Sequence, residues 1–282
     1  MQFLNQIYTS PIRSWLRHLG VASISKFFSK MRTKWRYLEY EKKLPKILQV
    51  QVGKNCASLL VSDKTEYARI LSVNEDNHII KCLMDFLNPG DCYWDVGGNI
   101  GLYTVLLAKS VGNSGKVIAF EPEERAFKRL LENIQLNELI NACPLHVALG
   151  EENKKMKLNI SEHFSSGSHS LVTQKQVTNT ILIEEIVEVC KGDDLRKEKK
   201  LEVPTAMKVD VEGAEYEVLK GLSETLQDSR CRLVVCEVHF SILESCGRKE
   251  VPSKIQSFLK DCGFDNQSWI DHSHLIAKKD YS

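Results

Sequence analysis

Residues 91–104 read Asp91-Cys-Tyr-Trp-Asp95-Val-Gly97-Gly98-Asn99-Ile-Gly101-Leu-Tyr-Thr104. A short apolar run ends in glycines and gives way to NIGLYTVLLAKSV, whose Leu102, Val105 and Leu106 share one helical face. Strand, glycine turn and helix open a βα unit. Glycines permit a tight turn and close backbone approach. The first N–H groups of the following helix, with its positive pole, suit an anionic ligand group. The spacing is not that of the dinucleotide fingerprint, because Asn99 and Leu102 stand where GxGxxG requires glycine.

Downstream the alternation repeats. KVIAFEP is a strand ending on an acid, EERAFKRLLENIQLNEL a helix, and ACPLHVALG a third strand. Residues 151–205 are less regular, with strand-like pieces at Lys155–Ile160 and Thr180–Val189 around the loop FSSGSHSL, which reads equally as a substrate lid or a surface connection. TAMKVDVEG is a fourth strand, AEYEVLKGLSETL a helix, RLVVCEVHF a fifth strand, Pro252–Cys262 a helix, and FDNQSWI with HLIAKK a closing hairpin. Upstream, ILQVQVG, CASLLVS and YARILSV read as short antiparallel strands, and residues 75–87 as a helix stopped by Asn88-Pro89-Gly90. Repeated βα units predict a doubly wound α/β fold, a mostly parallel sheet with helices on both faces.

Three further positions carry chemistry. Glu121, followed by Pro122, ends the second strand of this series, 20 residues beyond Gly101. An acid there commonly takes the two ribose hydroxyls of an adenosine-bearing cofactor. The fourth strand of such a sheet lies beside the first, so Asp210 belongs near the mouth opened by Asp95–Gly101. Strand alternation puts Lys208, Asp210 and Glu212 toward one side, although Glu212 also reads as an acid at the start of the next helix. His239, at the end of the fifth strand, is a candidate general base or a structural histidine. Asp210, Glu212, Glu237 and His239 together make an oxygen-rich set with one imidazole, of the kind that takes a divalent cation. Their spacing does not decide whether a metal is used.

Taken together, DVGGNIGLYT, AFEP, ENIQLN, VALG and MKVDVEGAEYEVLKG resemble the FkbM-type branch of S-adenosylmethionine-dependent methyltransferases, over roughly residues 75–240. The resemblance implies the seven-stranded class I methyltransferase fold with S-adenosyl-L-methionine as methyl donor. It implies Asp95, Gly97, Asn99 and Gly101 around the donor's methionine part and Glu121 on its ribose. Many members methylate hydroxyls of sugars, glycans or secondary metabolites. An O-methyltransferase is the resulting expectation, with Asp210, Glu212 or His239 as base. An NAD-linked oxidoreductase and a non-catalytic adenosine-cofactor-binding or membrane-docked module are the alternatives. Nucleobase N-methylation is disfavoured, because Asp210-Val-Glu-Gly replaces the usual Pro-Pro-aromatic segment.

Charge divides the 282-residue chain into an arm, residues 1–45, and a domain, residues 46–282. Residues 1–46 hold ten basic and two acidic groups, a net of +8, while the remainder carries −7. A body of that sign is not built to grip nucleic acid along its length. The arm's Ile24, Phe27, Phe28, Met31, Trp35 and Leu38 share one helical face opposite a basic one, which fits packing on the domain or peripheral contact with a membrane. Nine scattered cysteines without a CxxC pair suggest a reduced, cytoplasmic setting. No apolar stretch reaches spanning length.

Overall fold

The computed structural model describes residues 45–161 and 182–280. The basic arm up to residue 44 and the FSSGSHSL loop lie outside the described residues.

The described chain begins with an antiparallel hairpin, β1 (Lys46–Val52) and β2 (Asn55–Val61). Its alternating face buries Val50, Val52, Ala57, Leu59 and Val61. The next segment departs from its expected state. YARILSV is not a strand but belongs to a long helix, α1 (Lys64–Phe86). Asp63 starts the helix by accepting the N–H of Glu66 at 2.9 Å, while Glu66 accepts the N–H of Ser62 at 2.6 Å. This is a variant of the capping box, with an acid three residues beyond the cap. It outweighs the local β-propensity of a Tyr/Ile/Leu/Val-rich stretch. Tyr67 and Ile70, one helical turn apart, are both buried.

The βα series follows: β3 (Cys92–Val96), α2 (Leu102–Val111), β4 (Lys116–Phe120), α3 (Glu124–Leu136) and β5 (Ala142–Leu145). After an excursion come β9 (Ala206–Val209), α5 (Glu215–Gly221), α6 (Ser223–Gln227), β10 (Leu233–Glu237), α7 (Phe240–Ser245) and α8 (Val251–Asp261). The hairpin β11 (Asn266–Trp269) and β12 (His274–Lys278) closes the series. The seven-stranded sheet has the order β11-β12-β10-β9-β3-β4-β5. The five strands from β10 to β5 are parallel, and β12 and β11 are antiparallel to their neighbours. The order reverses between β3 and β9, which makes that edge the switch point.

Both faces of the sheet are covered. Tyr93, Val117, Leu233 and Val235 pack under α1 and α2. Trp94, Phe120, Met207 and Cys236 pack under α5, α6 and α8. Strands buried on both sides read as continuous apolar runs, and for this reason the sequence reveals them clearly. Two asparagines of the ENIQLN stretch fasten the hairpin to α3. Asn133 accepts the N–H of Leu60 and donates to the carbonyl of Ile100, both at 2.7 Å. Asn137 exchanges two hydrogen bonds with the backbone of Ser58. The exposed edge of β2 is thereby covered.

The excursion forms a second sheet of β6 (Ala148–Gly150), β7 (Lys154–Ser161) and β8 (Leu182–Lys191), in the order β6-β8-β7. ACPLHVALG is therefore two strands in two sheets. The break falls where Val147 N–H turns back to the carbonyl of Leu145, after Pro144, which has no N–H to offer. The helix expected over AEYEVLKGLSETL is likewise divided. A Cβ on Gly221 would stand 1.8 Å from the carbonyl oxygen of Gly150, so this close approach requires glycine. The second piece is capped by buried Asp193, in α4 (Gly192–Glu198), through the N–H groups of Glu224 and Thr225 and the Thr225 hydroxyl. Among the described residues, no helix is long and apolar enough to cross a membrane.

Candidate active site

A cleft of about 610 Å³, counted to its open mouth, lies at the switch point. Val96, Gly97 and Asn99 line it from the tip of β3, Phe120, Glu121 and Pro122 from β4, and Asp210, Val211 and Glu212 from β9. Val147, Ala148, Leu149 and Leu158 supply an apolar wall. Asp95 and Gly101, expected around the same ligand, stand behind this lining. Asp95 is buried and accepts the Thr104 hydroxyl at 2.5 Å, and burial raises its carboxyl pKa. Gly101 caps the start of α2.

The turn after β3 is shaped by its neighbours. Gly97 adopts φ 88° and its N–H donates to the carbonyl of Phe120. Asp210 N–H donates to the carbonyl of Val96 at 2.9 Å, so the tips of β3 and β9 stay paired to the end. Glu121 spans the gap between β4 and this turn. One carboxylate oxygen accepts the N–H of Asn99 at 2.7 Å and the other that of Glu123 at 2.9 Å. Burial pushes its carboxyl pKa up to about 7, against the lowering effect of those two N–H groups.

Beside this cradle lies a dense ionic cluster. Lys208 is buried, donates to Asp210 at 2.7 Å, lies 3.5 Å from Glu237 and 4.7 Å from the centre of the Tyr103 ring. Burial alone would lower its ammonium pKa. The charges of Asp210 and Glu237 outweigh that and hold it above the ordinary lysine range. His239 lies two residues beyond β10, at the start of α7, rather than within the strand. Its Nδ1 is 2.7 Å from Oε1 of Glu215, whose side chain is fully buried. Its Nε2 faces Glu212 at 3.2 Å and Asp210 at 3.6 Å. Burial drives the Glu212 pKa up to about 8. For His239 burial acts downward, but Glu215, Asp210 and Glu212 prevail and raise its pKa to about 9.

Asp210, Glu212 and His239, brought together from two strand ends, offer donor atoms all within 4.8 Å of one another. Glu237, grouped with them on sequence grounds, is engaged elsewhere, with Lys208 and with His274 Nε2 at 3.2 Å. Two residues escaped the sequence reading. Arg69 lines the cleft from α1, and its charge opposes without overcoming the burial that raises the carboxyl pKa of Glu121 and Glu212. Its detectable signal is the Asp63-x-x-Glu66 cap, which makes that segment a helix. Glu215 left no signal beyond its place in EGAE. At the same end of the sheet, Phe240, which follows His239 in sequence, forms a partly exposed aromatic pair with Trp269, their ring centres 5.4 Å apart.

Comparison with known proteins places these features in context. A family model described as the methyltransferase FkbM domain matches residues 95–265. The hexuronic acid methyltransferase AglP of Haloferax volcanii is 29% identical over 192 residues, covering 68% of this chain and 74% of that protein. Methyltransferase 1 of Beauveria bassiana is 24% identical, covering 68% and 80%. A crystal structure of an FkbM methyltransferase from Methylobacillus flagellatus superposes with a TM-score of 0.44 at 13% identity, covering 77% of this chain and 55% of that one.

Proposed function

Because the chain belongs to the methyltransferase FkbM domain family, we propose that it moves a methyl group from S-adenosyl-L-methionine to an oxygen of a sugar, glycan or small hydroxylated metabolite. The observation that carries this reading is the position of Glu121: a buried carboxylate at the tip of β4, tied to the turn after β3, in a cleft with one apolar wall. Each oxygen of such a carboxylate has a second lone pair, so it can accept ribose hydroxyls beside its backbone donors. The apolar wall of Val147, Ala148, Leu149 and Leu158 suits a purine ring.

When bound, the donor supplies an activated methyl on a sulfonium. Held by Glu121 and the turn after β3, it would give that methyl to the acceptor oxygen, with the electron pair of the broken carbon–sulfur bond left on sulfur. This chain's residues align the two reactants and exclude water. A hydroxyl must also lose a proton. Asp210, Glu212 and His239 face one another beside the cleft and are the groups of this chain placed to assist that loss. His239 is held with Nε2 toward the two acids by the bond from Nδ1 to Glu215. For the acceptor, the name of the Haloferax relative supports a uronic acid. The Phe240–Trp269 pair supports a sugar too, because flat aromatic faces stack against pyranose rings.

The test is transfer of isotope-labelled methyl from S-adenosylmethionine to a panel of uronic acids, neutral sugars and phenols, with the Glu121→Ala variant alongside. Labelled sugar product with the full chain, lost in that variant together with donor affinity, is the expected result. Undiminished donor affinity in Glu121→Ala would overturn the site assignment. Transfer to none of the panel by donor-binding protein would overturn the acceptor class.

A further inference from the structure

We infer that Asp210, Glu212 and His239 form a divalent-cation site that holds the acceptor oxygen, an inference resting on the reading of this cleft as a methyl-transfer site. Two of the three donor separations are close to those of a ligand set. An ion about 2.1 Å from each donor needs neighbouring donors roughly 3.0 Å apart in octahedral and about 3.4 Å apart in tetrahedral coordination. His239 Nε2 lies 3.2 Å from Glu212 Oε2 and 3.6 Å from Asp210 Oδ1. All three donor atoms lie within 4.8 Å.

The surrounding residues are arranged as a metal site's supports are. A ligating histidine generally gives its other ring nitrogen to a carboxylate, which fixes the tautomer and the ring plane. Here Nδ1 meets Glu215 at 2.7 Å, and Nε2 is the nitrogen turned toward the acids. Lys208 engages the Oδ2 oxygen of Asp210, leaving Oδ1 on the histidine side. A separate observation points the same way. Oε2 of Glu215 is buried and has no hydrogen-bond partner among the described residues, an unsatisfied polar atom directly behind the histidine.

Two carboxylates and one imidazole suit Mn²⁺, with Mg²⁺ the other hard cation of the right size. Three protein donors leave coordination positions open. An acceptor with two adjacent oxygens, such as a vicinal diol or a hydroxy acid, would fill two of them. The ion would then lower the pKa of the hydroxyl that reacts.

The experiment is calorimetric titration of Mn²⁺ into the full chain after chelator treatment and dialysis, repeated with Asp210→Asn and Glu212→Gln. Folding of each variant is checked by circular dichroism, and S-adenosylhomocysteine is titrated in parallel without metal. One Mn²⁺ per chain, weakened at least tenfold in both folded variants, is expected. Absence of Mn²⁺ and Mg²⁺ binding, or binding unchanged in both variants, would overturn the inference. Metal-free S-adenosylhomocysteine binding tests the donor site separately, so failure of one reading is not mistaken for failure of the other.

Discussion

The carbonyl oxygen of Asp210 occupies the place where a side chain on Gly97 would begin: a Cβ built on Gly97 stands 1.9 Å from it. The turn after β3 and the acid-bearing end of β9 are therefore one packed unit. Whatever the turn binds is held at a fixed distance from Asp210 and Glu212.

Gly97→Ala should break that unit. The residue needs φ 88°, costly for any L side chain, and the methyl meets backbone that has nowhere to go. We expect a loss of about 2–4 kcal/mol in denaturant-unfolding stability, with loss of S-adenosylhomocysteine binding. Gly98→Ala is the control. Its Cβ would approach Ala119 Cβ at 3.3 Å, a contact that a small shift accommodates. It should cost about 1 kcal/mol or less.

Glu121 should make donor affinity depend on pH. Its folded carboxyl pKa is about 7, above the ordinary 4.5, because burial favours the neutral acid. Its contribution to the free protein's stability is thus fully present below pH 4.5 and is lost as pH rises through 7. Two ribose hydroxyls need the ionised form as acceptor. Calorimetry should find S-adenosylhomocysteine about tenfold weaker at pH 6 than at pH 8 from this one ionisation. A flat profile for the wild-type chain would contradict the assignment of Glu121.

The βα series, the glycine turn after β3 and the place of Glu121 at the end of β4 were legible because parallel strands buried on both faces leave unbroken apolar runs between glycine turns. Other features depend on contacts that sequence spacing does not encode. YARILSV has strand composition, yet the Asp63 cap and its burial against the hairpin make it helical and carry Arg69 to the cleft. ACPLHVALG looks continuous because the turn at His146 and Val147 has no glycine to mark it. Asp193 is a buried helix cap, a role its place in the sequence does not reveal. Glu237 and Glu215 alternate equally well with neighbouring acids. Only the packing shows that Glu237 balances Lys208 while Glu215 orients His239.

Asn133→Ala should loosen the donor turn from behind. The amide closes two bonds, to the Leu60 N–H and the Ile100 carbonyl, and its removal leaves both groups without that partner. A cost of about 2–3 kcal/mol is expected. Faster hydrogen exchange should be confined to β2 and the start of α2. Uniform acceleration across the sheet would show instead that the hairpin is part of the global folding unit.

Glu215 provides the sharpest separation of donor binding from chemistry. It does not line the cleft, yet its Oε1 accepts the N–H of Gly213 at 2.8 Å and meets His239 Nδ1 at 2.7 Å. It is a positioning residue for the histidine. In Glu215→Ala the ring loses the partner that turns Nε2 toward Asp210 and Glu212. The turnover number should fall at least tenfold, of the order seen when a residue orienting a catalytic or ligating histidine is removed. The dissociation constant for S-adenosylhomocysteine should stay within about twofold, since the hydrogen bonds of Glu215 go to Gly213 and His239 and not to Glu121 or the turn after β3. Glu215→Gln keeps an oxygen for Nδ1 and should restore most of the turnover. Equal damage in both variants, or a parallel loss of donor affinity, would mean that Glu215 supports the fold of this edge rather than the direction of the ring.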